Sequence, residues 1–211
     1  MVIAIDGPAG SGKSTIAKLL AEKKGYTYIN SGKLYRAITL GCIRSKIDLQ
    51  NSEKVIEFAQ NIKISYEKDQ VLLDGEDVTS LLHTDEIDKY SSPLSAIVPV
   101  RHIVNALIRQ LAEGRDVVVE GRDMTTVVFP GARHRFYLDA SADSRAKRRY
   151  DQGVSNLSLE EIKNTISRRD EIDKNKVEGS LKLADGVQYL DTSDLTIIEV
   201  YDKLIDKIIN F

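Results

Sequence analysis

The sequence predicts an α/β protein, with a parallel sheet covered by helices on both faces and one small antiparallel insertion. Three observations predict it. The apolar run Val2-Ile3-Ala4-Ile5 leads into a glycine-rich loop and then into a helical pattern. Val117-Val118-Val119 is wholly apolar and β-branched, the mark of an interior parallel strand. Extended and helical periodicities alternate along the rest of the chain, which is how a sheet with crossover helices reads.

The first of these carries the chemistry. Gly7-Pro8-Ala9-Gly10-Ser11-Gly12-Lys13-Ser14-Thr15 satisfies G-x-x-x-x-G-K-[ST] between a strand and a helix. Three glycines let successive backbone N–H groups turn toward one phosphate, and the helix N-terminus adds partial positive charge behind them. Lys13 supplies a full charge near the β- and γ-phosphates, and the Ser14 hydroxyl suits a Mg²⁺ ligand. A nucleoside triphosphate, ATP, is the expected ligand.

The remaining elements follow in order. Helical spacing covers 14–24, with Ile16, Leu19 and Leu20, and Gly25 ends it. Tyr26-Thr27-Tyr28-Ile29 reads as a strand, and Asn30 or Ser31 caps a helix through Leu34, Ile38, Leu40 and Ile43. Ser52 opens another, with Val55, Ile56 and Ala59 on one face. The pattern then changes: Ile62 to Tyr66 alternates, Lys68-Asp69 turns, and Asp74-Gly75 is a hairpin signal leading to Val78. This antiparallel unit, about 62–80, is too short to bury a core alone and reads as an insertion. Helices follow at about 85–96 and from Pro99 through Leu111, ended by Gly114. After the valine strand come a strand at 134–138, a helix at 143–151 and a charge-rich helix at 159–173. A last strand at 188–190 and an amphipathic helix at 195–209 close the chain.

Composition narrows the class. At 211 residues and 42 % hydrophobic content, the chain supports one sizeable core as a single domain spanning 1–211. A net charge of −2 argues against a nucleic-acid surface. The one cysteine, Cys42, lies in an apolar run, excludes an internal disulfide and suits a cytoplasmic location. No apolar stretch reaches membrane-span length, and a strand starting at Val2 leaves no room for a cleavable leader.

In an open parallel sheet the ligand crevice lies at the carboxyl ends of the strands. The sequence places Asp6, then Ser31, Tyr35 and Arg36, then Glu120-Gly121-Arg122-Asp123, and finally Asp139 at such ends. Glu120 or Asp123 is positioned to reach the metal through water. Arg145, Arg148 and Arg149 share one helix face, and Arg169, Asp173 and Lys176 share another by i, i+4, i+7 spacing. Two basic faces before the last strand suit a mobile lid over phosphates. His83, His102 and His134 have no partner constellation, and no spacing suggests a structural metal site. A GTPase-type switch is disfavoured, because no D-x-x-G occurs and Asn175-Lys176-Val177-Glu178 only half resembles a guanine-reading motif.

The run Glu120-Gly121-Arg122-Asp123-Met124-Thr125-Thr126-Val127-Val128-Phe129-Pro130, with Tyr137-Leu138-Asp139-Ala140-Ser141 beyond it, closely resembles the bacterial cytidylate kinases. Further similarities lie in the phosphate loop, Ser31-Gly32-x-x-Tyr35-Arg36, Glu76-Asp77-Val78, Arg169-Asp170-x-x-Asp173 and Leu190-Asp191-Thr192-Ser193, over nearly the whole chain. The resemblance implies a P-loop kinase three-layer fold, with a monophosphate-binding region at 31–114 and a helical lid at 145–180. It implies transfer of the ATP γ-phosphoryl to CMP or dCMP by a monomer, with Mg²⁺. Lys13, Arg122 and Arg169 are implied as the catalytic cations, and Gly7 through Thr15 with Arg148 as the ATP site. Ser31, Tyr35, Arg36, Arg122 and Arg169 are implied around the acceptor phosphate. Ser92, Arg101 and Asp123 are implied around cytosine, Asp173 at the sugar, and Lys176 where the family usually has arginine. Thr125 replaces the family's glycine, a change that bears on the local turn or on the approach to the base. The reaction needs no strong base, because a phosphate monoester with its second pKa near 6 is largely the dianion at neutral pH. Positioning and charge neutralisation carry the chemistry, and closure excludes water.

Overall fold

The computed structural model describes residues 1–67, 69–153 and 157–209. Five parallel strands form the central sheet: β1 (Val2–Asp6), β2 (Thr27–Asn30), β6 (Val117–Gly121), β7 (His134–Asp139) and β8 (Gln188–Asp191). Their order is β2-β6-β1-β7-β8, so the glycine-loop strand lies at the centre, flanked by the valine strand and β7. Alternation along β1 and β6 divides the core. Ile3, Ile5 and Val118 pack against α1 (Lys13–Lys24) and α8 (Ile197–Ile209), with Val200, Leu204 and Ile208 of α8 at successive helical turns. Ala4, Val117 and Val119 face the other side, with α2 (Ser31–Arg44), α3 (Ser52–Asn61), α4 (Asp85–Leu94) and α5 (Val98–Ala112).

The insertion is the three-stranded antiparallel sheet β3 (Ile64–Glu67), β4 (Gln70–Leu73) and β5 (Glu76–Asp77). Asp74 and Gly75, at φ 50° and 89°, make the tight β4–β5 turn expected of the Asp-Gly pair. At the other turn Asp69 is seen, while Lys68 lies outside the described residues. The insertion is fastened to the larger core by Tyr66, Val71 and Leu73, and by Arg44 pairing with Glu76 at 2.7 Å.

The last helices, α6 (Ala142–Asp151) and α7 (Leu159–Lys174), pack on each other through a separate small cluster of Ala146, Ile162 and Ile166. Ser158 and Glu161 form a reciprocal capping box at the start of α7.

Boundaries depart from expectation in physically readable ways. Of the two expected caps of α2, Asn30 serves, its side chain accepting from the Lys33 N–H. α5 starts at Val98 and stops at Ala112, short of Gly114, while α4 stops at Leu94 with Pro93 in its last turn. The closing helix begins at Ile197. A five-residue wide helical turn at Met124–Val128 has no counterpart in the periodicity. It exists because buried Asp6 accepts from the Met124 and Thr125 N–H groups, at 2.8 and 2.7 Å, and from the Thr125 hydroxyl at 2.6 Å.

Candidate functional site

The site begins where β1 ends. A Cβ on Gly7 would stand 2.1 Å from the Leu138 carbonyl oxygen, so the loop passes against β7 only with glycine there. The loop then delivers Lys13 as the first residue of α1, buried, with Nζ donating to the Pro8 carbonyl at 2.9 Å. Burial first, and then the neighbouring Arg122 charge, push the Lys13 ammonium down to about 7. Ser14 Oγ donates to Glu120 Oε1 at 2.6 Å, and Tyr28 OH donates to the same oxygen at 3.0 Å. Glu120, at the end of β6, is therefore the carboxylate beside the serine, and Asp123 is committed elsewhere. A serine hydroxyl beside a carboxylate is a hard-oxygen pair that fits Mg²⁺. Among the described residues no group of three or more His, Cys, Asp or Glu forms a metal cluster, so phosphate oxygens and water would complete its shell. Asp6 does not face this site, since the turn after β6 takes both its oxygens, and burial raises its carboxyl to about 6. Asp139 is likewise structural, accepting from Ala140 N–H and Tyr189 OH.

Arg145, Arg148 and Arg149 share a helix face by count but serve three different places. Arg145 is buried, donating to the carbonyls of Ala140 and Ala9 and pairing with Asp170 at 2.7 Å, so it ties the phosphate loop to α7. Arg148 lies along the loop after β8, donating to Thr192 Oγ1 at 3.0 Å and to the Thr192 carbonyl. Thr192 in turn donates to the Ser11 carbonyl at 3.1 Å, which seats Arg148 beside the phosphate loop. Arg149 points to the opposite end of the cleft.

There, Arg36 donates through Nε and Nη2 to Asp88 Oδ1 at 3.1 and 3.0 Å, and Arg149 donates to Asp88 Oδ2 at 2.5 Å. Arg169 Nη1 stands 4.0 Å from the same carboxylate. Burial and then the Arg36 and Arg122 charges lower the Arg169 guanidinium to about 10. Its Nε and the Tyr35 hydroxyl are buried and without a hydrogen-bond partner among the described residues. Arg122 Nε donates to Asp173 Oδ2 at 2.6 Å, and Lys176 Nζ donates to Asp173 Oδ1 at 2.7 Å. Against the cost of burial, Arg122, Lys176 and Arg169 hold the Asp173 carboxyl well below the usual range.

Lys176 corrects a sequence expectation. Asn175 caps α7 after Lys174, so Lys176 lies beyond the helix and does not continue the Arg169–Asp173 face. Its ammonium is buried between Asp173 and Ser95 Oγ, the latter at 2.8 Å. Beside it, Arg101 donates to Asp123 Oδ2 at 2.5 Å and to the Ser95 carbonyl at 2.7 Å, with its guanidinium 5.9 Å from the Tyr35 ring. Gly179 covers this pair so closely that a Cβ there would stand 1.9 Å from Arg101 Nη2. Ser91 and Ser95 line the cleft at this end; Ser92 does not, and its buried Oγ has no partner among the described residues. His102 is not isolated, since it meets Glu178 at 2.9 Å on the exposed rim.

One cleft of about 1310 Å³ joins all these parts, from residues 9–16 at one end to Arg101, Asp123 and Lys176 at the other. That exceeds the ordinary volume of a single small-molecule pocket. Asp88, Tyr28 and Lys33 line the cleft although residue patterns did not single them out as binding residues, whereas Glu120 stands where its place at a strand end put it. Of Thr125's two possible roles, the structure gives the first: it is fully buried, serves the turn through Asp6, and does not line the cleft.

Comparison with known proteins covers nearly the whole chain. A family model described as Cytidylate kinase matches residues 3–210. The cytidylate kinase of Caldanaerobacter subterraneus subsp. tengcongensis is 42% identical over 209 residues, covering 98% of this chain and 93% of that protein. The cytidylate kinase of Borrelia duttonii is 44% identical over 210 residues, covering 97% and 96%. Among solved structures, a gluconokinase from Sinorhizobium meliloti 1021 superposes with a TM-score of 0.52 at 16% identity, covering 99% of this chain and 91% of that one. Shikimate kinase from Acinetobacter baumannii gives 0.50 at 15% identity, covering 99% and 93%. At such identities the two structures speak for the fold alone: a parallel sheet between helices, entered through a phosphate loop.

Proposed function

This chain belongs to the cytidylate kinase family, and from that membership we propose that it transfers the γ-phosphoryl group of ATP to CMP and dCMP. The single cleft that joins the phosphate loop to the arginine-rich end carries this reading. ATP lies along residues 7–15, with Lys13 and the α1 N-terminus on its phosphates and Arg148 over the loop. Ser14, with Glu120 beside it, would hold Mg²⁺, which would supply charge neutralisation for the triphosphate. Arg36, Arg122 and Arg169, with Ser31 and Tyr35 beside them, hold the acceptor phosphate. Arg101 and Asp123 face the cytosine, and the Asp123 carboxylate accepts from an exocyclic amino group that uracil lacks. Asp173, fixed by Arg122 and Lys176, meets the sugar. Residues 31–114 form the acceptor-binding region and 145–180 the lid. The protein is read as a cytoplasmic monomer, on the resemblance and the lone buried cysteine.

No side chain has to remove a proton from an acceptor that arrives as a dianion. The work of Lys13, Arg122 and Arg169 is to hold two polyanions in line and to offset charge on the transferring group. A coupled assay with ATP, Mg²⁺ and a panel of CMP, dCMP, UMP, AMP and GMP tests the reading. Turnover confined to the two cytosine nucleotides is expected; turnover that prefers another base would overturn it.

A further inference from the structure

We propose that Asp88 is a positioning residue: its carboxylate aligns Arg36 for the acceptor phosphate and catches the lid helices through Arg149 and Arg169. The geometry is unusual for a surface-facing helix residue. Asp88 lies on α4, and the three arginines it meets come from α2, α6 and α7. Its side chain is 16 % exposed, so the pairs are partly shielded from water. Each carboxylate oxygen has a distinct task, Oδ1 taking Arg36 and Oδ2 taking Arg149.

What Asp88 does to Arg36 follows from which guanidinium edge it uses. Nε and Nη2 are spent on Oδ1, which leaves Nη1 toward the start of α2, 3.0 Å from where a Cβ on Gly32 would stand. That helix N-terminus, with Ser31 beside it, is where an anion is favoured. A guanidinium fixed on one edge presents the other without further loss of side-chain freedom. Arg169 stays outside hydrogen-bond distance of Asp88 and keeps an unpartnered Nε, so it remains able to take an incoming phosphate.

What Asp88 does to the lid follows from what holds the two helices themselves. The α6–α7 pair has its own small apolar cluster, separate from both large cores. Among the described residues its polar ties to the acceptor side are Arg149 and Arg169 to Asp88 and Asp173 to Arg122, and just beyond α7 Lys176 to Ser95 and Glu178 to His102. Removing the Asp88 charge therefore releases one of these ties and the alignment of Arg36 together. Once CMP is bound its phosphate bridges Arg36 and Arg169 directly, so the loss falls on acceptor binding and not on the saturated rate.

This inference rests on the acceptor-site reading above, and its test keeps the two apart. Nitroxide labels at cysteines replacing exposed Glu57 on α3 and Ser167 on α7 report the lid distance by pulsed dipolar spectroscopy. Cys42 is buried, with burial raising its thiol pKa to about 11, and stays unlabelled. In the ligand-free protein, Asp88→Asn is expected to lengthen and broaden that distance, and CMP with an ATP analogue to restore it. In kinetics, KM for CMP rises about tenfold or more while kcat stays within about threefold. Arg149→Gln, which leaves the Arg36–Asp88 pair in place, lengthens the distance with a smaller change in KM. An unchanged distance in Asp88→Asn overturns the proposal. So does a fall in KM for CMP, which would make Asp88 a competitor for the arginines, or a fall in kcat at unchanged KM. If Asp88→Asn does not fold, an unchanged distance in Arg149→Gln overturns it alone. A parent protein inactive on CMP would instead sink the acceptor reading, whatever the distances show.

Discussion

At the end of the cleft proposed for ATP, residues 7–15 are one continuous stretch whose place is set by β1 and α1. At the end proposed for the acceptor, Arg36, Arg101, Arg122, and Arg169 with Lys176 arrive from α2, α5, the turn after β6, and α7 with its C-terminal loop. The difference lies in what holds each end before substrate arrives. The phosphate loop is held through its own backbone, with Lys13 resting on the Pro8 carbonyl and with Arg145 and Thr192 donating to the Ala9 and Ser11 carbonyls. The acceptor-side cations are fixed by carboxylates: Asp88 for Arg36, Asp123 for Arg101, and Asp173 for Arg122 and Lys176. A site made from one loop keeps its shape by covalent continuity, whereas a site gathered from distant helices needs internal counter-ions. Paired buried charges serve position more than stability.

The comparison breaks first at Lys13. Lys13→Ala leaves the loop backbone in place but removes the charge on the transferring phosphate, so kcat is expected to fall more than about a hundredfold, near 3 kcal/mol of barrier. Stopped-time assays at saturating substrates, beside a thermal melt matching the parent, check it. Near-normal turnover would misplace the donor end. Asp123→Asn comes next: it keeps the shape beside Arg101 but loses the carboxylate, and kcat/KM for CMP relative to UMP should narrow by about tenfold to a hundredfold. An unchanged ratio would leave Asp123 as Arg101's counter-ion only.

How far each end was legible in the sequence follows the same division. The phosphate loop is local, so its residues, strand and helix were readable at once, as was the buried valine strand. Arg36 and Arg122 were placed at strand ends and Arg169 on a helix face, but Arg101 and the acceptor role of all four entered through a resemblance, because pairs such as Arg36–Asp88 and Arg122–Asp173 join residues about fifty positions apart and leave no period. The helix count failed at Lys176 because spacing says nothing about where a helix stops, and Asn175 stops it. The turn at Met124–Val128 escaped because its cause is Asp6, on another strand. Asp6 itself could have been found by asking what a buried carboxylate at a strand end is bonded to.

Two smaller effects sharpen the contrast. Lys176→Ala is expected to cost about 1–3 kcal/mol in CMP binding, seen as a raised KM with little change in kcat, since the ammonium braces Asp173 instead of reaching across to ATP. A fall confined to kcat would restore a transition-state contact for Lys176. At the donor end, the Lys13 ammonium lies near 7 in the free protein and returns toward its ordinary value beside polyphosphate. Binding of ATP at pH 8 should therefore take up a proton, and affinity should weaken as pH rises from about 7 toward 10. Calorimetry in two buffers of different ionisation enthalpy measures the uptake; none at pH 8 would mean that Lys13 is already charged in the free site.

The claim on which the rest depends is that one cleft holds both phosphate groups in line for direct transfer. An adenosine and a cytidine joined through their 5′ oxygens by five phosphates spans both ends at once. Linked binding elements gain from intramolecular engagement, so the account predicts competition against both ATP and CMP, with a Kd at least about a hundredfold below that of either. Competition against one substrate alone, or a Kd no lower than that of ATP, would contradict it.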